Sequence, residues 1–373
     1  MPIGVFELFM FKIEMLPADY GDCLWIEYGD PKDPKRIMVD CGTLQTFKFI
    51  KKKVEKIPCQ KRRFELLVIT HIDTDHIEAA LKVLNGRSLG LHFRQIWFNE
   101  WKHLSPPDEL GAEHGEYAAA LIGTKGLILN TSFDGGAVVI PDDGPLPIVK
   151  LAGKMRLTLL SPGWEQLADL RPVWRKGLER SGLVPGDHEN AFAKFQKKKK
   201  YADLLGGPTP SLEDLANLRF KEDTAAANGS SIAFLAEYGG KRCLFGGDAH
   251  PSVLASSIDR LLSELGASRL KLDAYKVAHH GSRHNTSVEL LKKMDCGKFL
   301  FSTNGHKTHH PHRDAVARVI LYGTPNRPER KVQLYFNYLS RDNSIWNSPI
   351  GTKGLDYESF FHSQNKSGLT LEL

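Results

Sequence analysis

Apolar and polar positions divide the chain into short strand-like runs and longer amphipathic segments. Runs rich in β-branched and aromatic residues predict strands near residues 6–15, 22–28, 36–40, 65–70, 94–99, 136–140, 155–160, 230–238, 241–247, 272–278, 298–303 and 331–338. Helical periodicity predicts helices near residues 46–56, 76–84, 113–123, 163–180, 189–201, 211–219, 250–265, 286–294 and 312–322. This order predicts an α/β fold with two mixed sheets flanked by helices. Because no long Gly/Ser-rich linker divides the chain, we expect one domain over residues 1–373.

One predicted strand ends in four potential metal ligands. The apolar run at 66–70 is followed by His71, Asp73, Asp75 and His76. Three other predicted strands also end in acidic residues or histidines, namely Asp40, Asp248, and the pair His279 and His280. Imidazole and carboxylate groups hold zinc, manganese or iron. Since chemistry in α/β sheets gathers outside the strand ends, this pattern predicts a metal site at one sheet edge.

The order of these motifs resembles the metallo-β-lactamase fold, in its ComEC-like branch. The segment 17–29 resembles the opening hairpin of that branch, 228–235 resembles its Asn-x-x-Ser strand, and 302–305 with 310–312 resembles its late loop. The resemblance spans about residues 8–325, with a poorly matched helical insert near 163–222. It implies an αββα sandwich and a metal-dependent hydrolase. Relatives include the hydrolase domain of the DNA-uptake protein ComEC and proteins of bacterial anti-phage operons.

The sequence departs from the commonest pattern of that family at two positions. Asp73 replaces the usual second histidine of the His-x-His-x-Asp-His motif. The usual histidine of the third motif has no clear counterpart, because neither His103 nor His114 ends an apolar strand, and Asn228 is expected to fill part of that space. Carboxylate and amide ligands shift the preference of a site toward manganese. We therefore expect one or two divalent ions, zinc or manganese.

The candidate ligands divide between two ions that share Asp248. We expect one ion to be held by His71, Asp73 and Asp248. A second would be held by Asp75, His76, Asp248 and one of His279 or His280, a choice that the sequence leaves open. Such an ion activates water as a nucleophile. Asp40 is expected to orient a ligand histidine or its loop.

The resemblance assigns further roles around the metal. Asp75 and His310 are the candidate catalytic residues, with His310 reaching the site from the late loop as a phosphate binder or general acid. Ser282 and Asn304 could supply further hydrogen-bond donors. Such a set suits a phosphodiester, whose reaction gathers negative charge on its non-bridging oxygens.

The composition is that of a globular protein with an excess of positive charge. The 373 residues are 41% hydrophobic and 25% charged, with a net charge of +6. No apolar run approaches the roughly 20 residues that cross a bilayer, and the N-terminus does not read as a signal peptide. Five widely spaced cysteines suggest reduced thiols, so we expect a cytoplasmic protein without membrane partners.

The insert near 163–222 carries much of the basic charge. Its lysine run includes Lys197 and Lys198, which are candidate contacts to substrate phosphates, although a solvated helix face explains the same pattern. Three function classes remain open: a phosphodiesterase or nuclease acting on nucleic acid or a nucleotide, a hydrolase of a small ester, lactone or phosphorylated metabolite, and a non-catalytic accessory protein. Partner proteins encoded nearby are possible, and the sequence does not indicate the oligomeric state.

Overall fold

A computed structural model describes residues 10–85, 89–104, 113–181, 211–325, 331–347, 357–362 and 368–373, without the side chains of residues 113, 114, 180 and 181. The helices of this part are α1 Phe47–Val54, α2 Thr74–Asn85, α3 Glu113–Thr124, α4 Trp164–Ser181, α5 Leu212–Ala216, α6 Ala226–Gly229, α7 Pro251–Leu265, α8 Val288–Lys292 and α9 Arg313–Tyr322. The predicted helix at 189–201 lies outside the described residues. None of the helices in the described part is long and apolar enough to cross a membrane.

The strands form two large mixed sheets. They are β1 Met10–Met15, β2 Leu24–Gly29, β3 Lys35–Val39, β4 Arg63–Phe64, β5 Leu66–Val68, β6 His92–Phe93, β7 Ile96–Trp97, β8 Ile148–Lys150, β9 Arg156–Ser161, β10 Ala233–Tyr238, β11 Lys241–Phe245, β12 Leu270–Leu272, β13 Ala274–Lys276, β14 Met294–Cys296, β15 Lys298–Phe301, β16 Val332–Phe336, β17 Tyr357–Phe361 and β18 Leu369–Glu372. The first sheet has the order β18-β1-β2-β3-β5-β7, and the second has the order β17-β16-β15-β13-β11-β10-β9-β8. Two short pairs, β12-β14 and β4-β6, extend the ends of neighbouring strands.

Each large sheet changes from antiparallel to parallel pairing part of the way across. In the first sheet, the pairs from β18 to β3 are antiparallel and those from β3 to β7 are parallel. In the second sheet, the pairs from β8 to β11 are antiparallel and those from β11 to β17 are parallel. This arrangement confirms the predicted α/β class with two mixed sheets flanked by helices.

The two sheets pack face to face, and the period-2 pattern of their strands separates two cores. Leu66 and Val68 of β5 belong to the core between the sheets, whereas Leu67 belongs to a second core under α1, α2, α3 and α4. Across the central core, the rings of Tyr28 and Tyr238 lie 5.2 Å apart. Both faces of the first sheet are therefore buried, which explains the nearly continuous apolar run at 66–69.

The sequence indicates where some helices begin and end, but it does not reveal which segments pair as strands. Helix α7 begins with Pro251 and is followed by Gly266 in the left-handed region, a common way for a helix to begin and end. The run at 136–140, predicted as a strand, forms none, because the backbone of Val138 bonds to the side chain of Asn99 instead of to a neighbouring strand. Strands β17 and β18 were not predicted, and they extend the two sheets through long-range pairing with β16 and β1.

A buried ion pair joins the two sheets at the edge where the motif residues gather. Lys276, the last residue of β13, places its Nζ 2.5 Å from Oδ2 of Asp22, which lies in the loop between β1 and β2. Both side chains are at most 2% exposed. The same loop is held by a hydrogen bond from Ser302 Oγ to the carbonyl of Gly21, at 2.8 Å. The loop of the first sheet is thus fixed to strands of the second.

We predict that Lys276→Met destabilises the fold by about 3–5 kcal/mol, because it leaves the buried carboxylate of Asp22 without its cation. The matched control is Lys241→Met, which removes the partly exposed pair with Asp273 and should change the free energy of unfolding by about 0–1 kcal/mol. Urea titration of the ion-free proteins measures both. Equal effects of the two substitutions would contradict a structural role for the buried pair.

Candidate metal centre

The motif residues come from the ends of strands in both sheets. In the first sheet, Asp40 follows β3, and His71 follows β5. Helix α2 begins at Thr74, and its first turn carries Asp75 and His76. In the second sheet, Asp248 follows β11, and His279 and His280 follow β13. The carboxyl ends of these parallel strands lie at one edge of the two packed sheets, so the residues converge although they are distant in sequence.

Four imidazoles surround one carboxylate oxygen at this edge. Oδ2 of Asp248 lies 3.4 Å from Nε2 of His76 and 3.9 Å from Nε2 of His71. It lies 3.7 Å from Nε2 of His279 and 3.8 Å from Nε2 of His280. Asp248 is 2% exposed. The same nitrogen of each ring therefore faces a single buried carboxylate, the position expected of a shared ligand.

The opposite nitrogen of each ring is held by the protein. The partners of the four Nδ1 atoms are Thr70 Oγ1 at 3.0 Å and Ser231 Oγ at 3.1 Å for His71, Asp40 Oδ2 at 2.8 Å for His76, Asn285 Oδ1 at 2.8 Å for His279, and Ser302 O at 2.8 Å for His280. Such contacts fix the ring orientation of ligand histidines in metal sites. They leave Nε2 as the atom that can bind a metal.

Asp40 organises the two motif residues nearest to it. Its Oδ1 accepts the backbone N–H of Thr70 at 2.8 Å, and its Oδ2 accepts the hydroxyl of Thr70 at 2.7 Å. The same Oδ2 contacts Nδ1 of His76. Asp40 has a φ of 55°, a left-handed conformation that is uncommon outside glycine. The carboxylate therefore links the end of β5 to the first turn of α2.

The donor set and its unpaired atoms fit a divalent cation. Within the described part of the chain, Nε2 of His71 and Oδ1 of Asp248 are buried and lack a hydrogen-bond partner. Native proteins seldom leave such atoms unpaired, and a bound ion is one explanation. Candidate ligand groups, each with atoms within 4.8 Å of one another, are His71 with His76 and Asp248, and Asp75 with His76 and His280. Imidazole and carboxylate together suit zinc or manganese.

The carboxylates of the cluster raise the pKa values of two of its imidazoles. Burial disfavours charged His76, but the carboxylates of Asp248 and Asp40 raise its pKa well above the usual value. Burial likewise opposes protonation of His280, and Asp248 and Asp22 still raise its pKa to about 9. In the ion-free protein, protons therefore balance the carboxylates at neutral pH. A metal must displace these protons, so its affinity should increase with pH.

His279 and His280 occupy a turn instead of the end of a strand. The strand β13 ends at Lys276, and the turn Ala278–Gly281 contains both histidines in the left-handed region, with φ of 47° and 55°. The chain reverses at the histidines themselves, which precede Gly281 in the same turn. As a result, both rings reach Asp248. Among the described residues, His280 joins two ligand groups and His279 joins none.

The remaining predicted residues lie at different distances from the centre. Asp73 Oδ2 is 3.7 Å from His71 Nε2, and its side chain is 46% exposed. Ser282 lies within the histidine turn, where its N–H donates to the carbonyl of His279. Asn304 bonds to Asp19 and so holds the late loop against the loop between β1 and β2.

His310 and Asn228 border the centre. The His310 ring centroid lies 5.0 Å from that of His279, and its buried Nδ1 has no hydrogen-bond partner within the described residues. Burial and the nearby imidazoles, His279 foremost, hold the pKa of His310 well below its usual value. Asn228 Nδ2 lies 3.3 Å from Nδ1 of His279. Lys197 and Lys198 lie outside the described residues, as does the side chain of His114.

His103, a candidate for the third-motif histidine, belongs to the fold instead of the centre. Its Nδ1 accepts the backbone N–H of Glu100 at 3.2 Å, and its Nε2 contacts the carbonyl of Gly135 at 3.1 Å. Both ring nitrogens are used in these contacts.

The sequence did not reveal several residues that shape the centre. Asp22 belongs to two candidate ligand groups. One contains His280 and Asp248, and the other contains Asp40 and His76. Its position within the opening hairpin segment 17–29 was the available signal. The sequence also did not reveal the residues whose side chains contact the Nδ1 atoms of the imidazoles. These are Thr70, Ser231, Asp223 and Asn285. Their short polar side chains lie in loops, where such residues are common, so no pattern singled them out.

Comparisons with solved structures find similar chains at low identity. The chain is similar to the metallo-beta-lactamase fold protein YhfI from Bacillus subtilis, with 11% identity, coverage of 98% of this chain and 100% of that chain, and a TM-score of 0.41. It is also similar to Zn(2+)-bound PqqB from Methylobacterium extorquens, with 10% identity, coverage of 97% of this chain and 100% of that chain, and a TM-score of 0.38. A mutant of the CmlA beta-hydroxylase is similar with 11% identity, coverage of 98% of this chain and 54% of that chain, and a TM-score of 0.38. No protein-family model and no curated protein matches the chain. Because these similarities are weak, the fold class rests on the sheets and the metal site on its own geometry.

We predict that Asp248→Ala removes bound metal, whereas Asp40→Ala weakens metal affinity by about 10–100-fold, because Asp40 acts through His76. Elemental analysis gives the stoichiometry, and competition with a chelating dye gives the affinity. Asp259→Ala is the control, since this exposed carboxylate pairs with Lys293 on the surface. The same complete loss of metal in the Asp40 and Asp248 variants would contradict the proposed hierarchy.

Proposed function

We propose that the protein is a metal-dependent hydrolase of phosphodiesters, acting on nucleic acid or a nucleotide. The observation that carries this proposal is the convergence of four imidazole Nε2 atoms on the buried carboxylate of Asp248. Every ring has its other nitrogen held by the protein, and two ligand atoms in the cluster are buried without partners. A purely structural cluster has no need to aim one nitrogen of each ring at the same point.

The residues would share two ions through Asp248. His71, Asp73 and Asp248 would hold one, and Asp75, His76, His280 and Asp248 the other. When bound, a divalent ion polarises the bond under attack and makes water a nucleophile at neutral pH. Zinc and manganese both suit this ligand set. Asp75 is the candidate catalytic carboxylate, since it is 19% exposed and its Oδ2 lies 3.4 Å from Nε2 of His280.

The chain's own residues would hold this arrangement in place. Asp40 keeps His76 in one orientation, and Lys276 neutralises Asp22 so that a fourth carboxylate adds little negative charge.

The surroundings of the opening favour an anionic substrate. The His310 ring lies 4.7 Å from that of His312, whose Nδ1 accepts the backbone N–H of Arg283. The guanidinium of Arg283 is 44% exposed, although it also pairs with Asp314. Imidazole and guanidinium donors suit the non-bridging oxygens of a phosphate better than a neutral ester or lactone.

Basic residues of the region 163–222 extend this proposal to nucleic acid. Arg175 and Lys176 on α4 are exposed, and Lys197 and Lys198 follow in the same region of the sequence. Together they could attract a phosphate backbone. A role in DNA handling or anti-phage defence, with partner proteins encoded nearby, is part of the proposal and follows from the family resemblance alone.

We predict that the protein loaded with zinc or manganese hydrolyses bis(4-nitrophenyl) phosphate, and that chelation abolishes the activity until metal is restored. Release of 4-nitrophenolate measures the rate, and the Asp248→Ala variant is the control for contaminating enzymes. 4-Nitrophenyl acetate and a lactone are tested in parallel. Metal-loaded protein that cleaves only the ester or lactone would replace the phosphodiesterase proposal with the small-molecule alternative. Inactivity on all three would favour the accessory role.

We predict that His310→Ala retains its metal and slows diester hydrolysis by roughly 10²–10⁴-fold, as for a lost donor to the developing charge. Single-turnover rates and metal content are measured on the same preparation. The control is His309→Ala in the same loop, whose half-exposed ring contacts Asp342. Hydrolysis by the His310 variant at the parent rate would show that this part of the loop is structural.

A further inference from the structure

Lys307 is an exposed cation on the late loop, residues 302–312, and its partner is an aromatic ring. Its Nζ lies 4.6 Å from the centroid of the Tyr20 ring. In the described part of the chain, this ammonium pairs with no carboxylate. The electrostatic attraction between a cation and an aromatic face is modest at an exposed site. Tyr20 therefore holds Lys307 in place while leaving its charge open to an anion.

Tyr20 lies in the loop between β1 and β2, which packs directly against the candidate ligand Asp75. It precedes Gly21, where an added Cβ would lie 1.8 Å from the carbonyl oxygen of Asp75. The N–H of Asp22 donates to the same carbonyl at 3.3 Å. Burial and, among the nearby charges, first of all the carboxylate of Asp75 raise the pKa of Tyr20 to about 12, so the phenol lies close to this carboxylate.

The loop of Tyr20 and the late loop are bonded to each other, so the fold sets where Lys307 lies. The N–H of Asn304 donates to the carbonyl of Asp19 at 2.8 Å, and the side-chain amide of Asn304 donates to the carboxylate of Asp19. The N–H of His309 donates to the carbonyl of Gly305 at 3.0 Å, which closes a turn around Lys307. The ammonium is thus carried by a turn that is fixed beside Asp75.

The late loop meets the centre on two flanks. His310 lies on the flank of His279, with 5.0 Å between the ring centroids. Lys307 lies on the flank of Asp75, over the ring of Tyr20. A phosphate bound at the centre would have His310 on one flank, and a cation on the other flank would attract further negative charge of the same substrate.

We propose that Lys307 binds a second phosphate of the substrate, next to the one that is cleaved, and that Tyr20 is the positioning residue for its ammonium. This inference rests on the proposed hydrolase function. It narrows the substrate to nucleotides with two or more phosphates and to nucleic acid strands. Lysine binds phosphate as a point charge, and neither a single diester nor a neutral ester offers a second anion to it.

The probes are thymidine 3′,5′-bisphosphate and thymidine 5′-monophosphate, which differ by one phosphate and contain no phosphodiester to cleave. Calorimetry on the metal-loaded parent protein should show tighter binding of the bisphosphate. Lys307→Met should lower the affinity for the bisphosphate by roughly 10-fold, as for one lost hydrogen bond to a charged group. The affinity for the monophosphate should stay at the parent value.

Two substitutions of Tyr20 separate its ring from its hydroxyl. Tyr20→Leu removes the aromatic face and should lower the affinity for the bisphosphate by about 2- to 5-fold, as for one exposed cation–π contact. Tyr20→Phe keeps the face and should bind both probes as the parent does. In the Lys307→Met background, Tyr20→Leu should have no further effect, because it acts through the ammonium.

A matched control removes a cation over a tyrosine ring elsewhere on the surface. The Nζ of Lys292, the last residue of α8, lies 5.4 Å from the centroid of the Tyr322 ring. Lys292→Met should leave the affinity for both nucleotides at the parent value. Elemental analysis should show the parent metal content in every variant.

Equal loss of affinity for the two nucleotides in Lys307→Met would overturn this inference, as would an unchanged affinity for the bisphosphate or a loss of metal. A parent protein that binds the bisphosphate no more tightly than the monophosphate would also overturn it. Equal effects of leucine and phenylalanine at Tyr20 would refute the positioning role. If the bisphosphate binds through Lys307 but no phosphodiester is cleaved, the proposed hydrolase function alone is refuted.

Discussion

At the edge where the two sheets meet, the structure depends on one constraint: a buried cluster of carboxylates needs positive charge nearby. Asp22, Asp40 and Asp248 are all at most 2% exposed, and burial of unpaired charges is costly. Lys276 balances Asp22, while Asp40 and Asp248 face His76 and raise its pKa well above the usual value. Since the carboxylates come from both sheets, their balance depends on how the sheets pack. Fold stability and metal affinity are therefore coupled at this edge.

The contacts behind the imidazoles explain how loops from distant parts of the chain form one geometry. Each Nδ1 atom has a different kind of partner: hydroxyl groups, a carboxylate, an amide oxygen or a backbone carbonyl. These partners come from separate elements, so no short segment of the chain contains a complete ligand position. The left-handed backbone at Asp40, His279 and His280 has the same origin, because strained conformations persist where surrounding contacts determine them.

Exposure divides the centre into a buried side and an open side. His71, His76 and His280 are buried and face Asp248, whereas Asp73 and His279 border the opening. On the second side, Asp223 connects the centre to the segment that follows the polar region 163–222.

The sequence alone predicted the α/β class, most strand and helix positions, and the gathering of Asp and His residues at strand ends. These features are local, because they follow from periodicity and from the residue that ends each run. Tertiary structure decided the pairing of β17 and β18, the irregular course of 136–140, and the convergence of four Nε2 atoms on Asp248. It also brought Asp22, Asp223 and Asn285 to the imidazoles. Such contacts join residues far apart in the chain, and a polar residue in a loop carries no signal of what it will meet after folding.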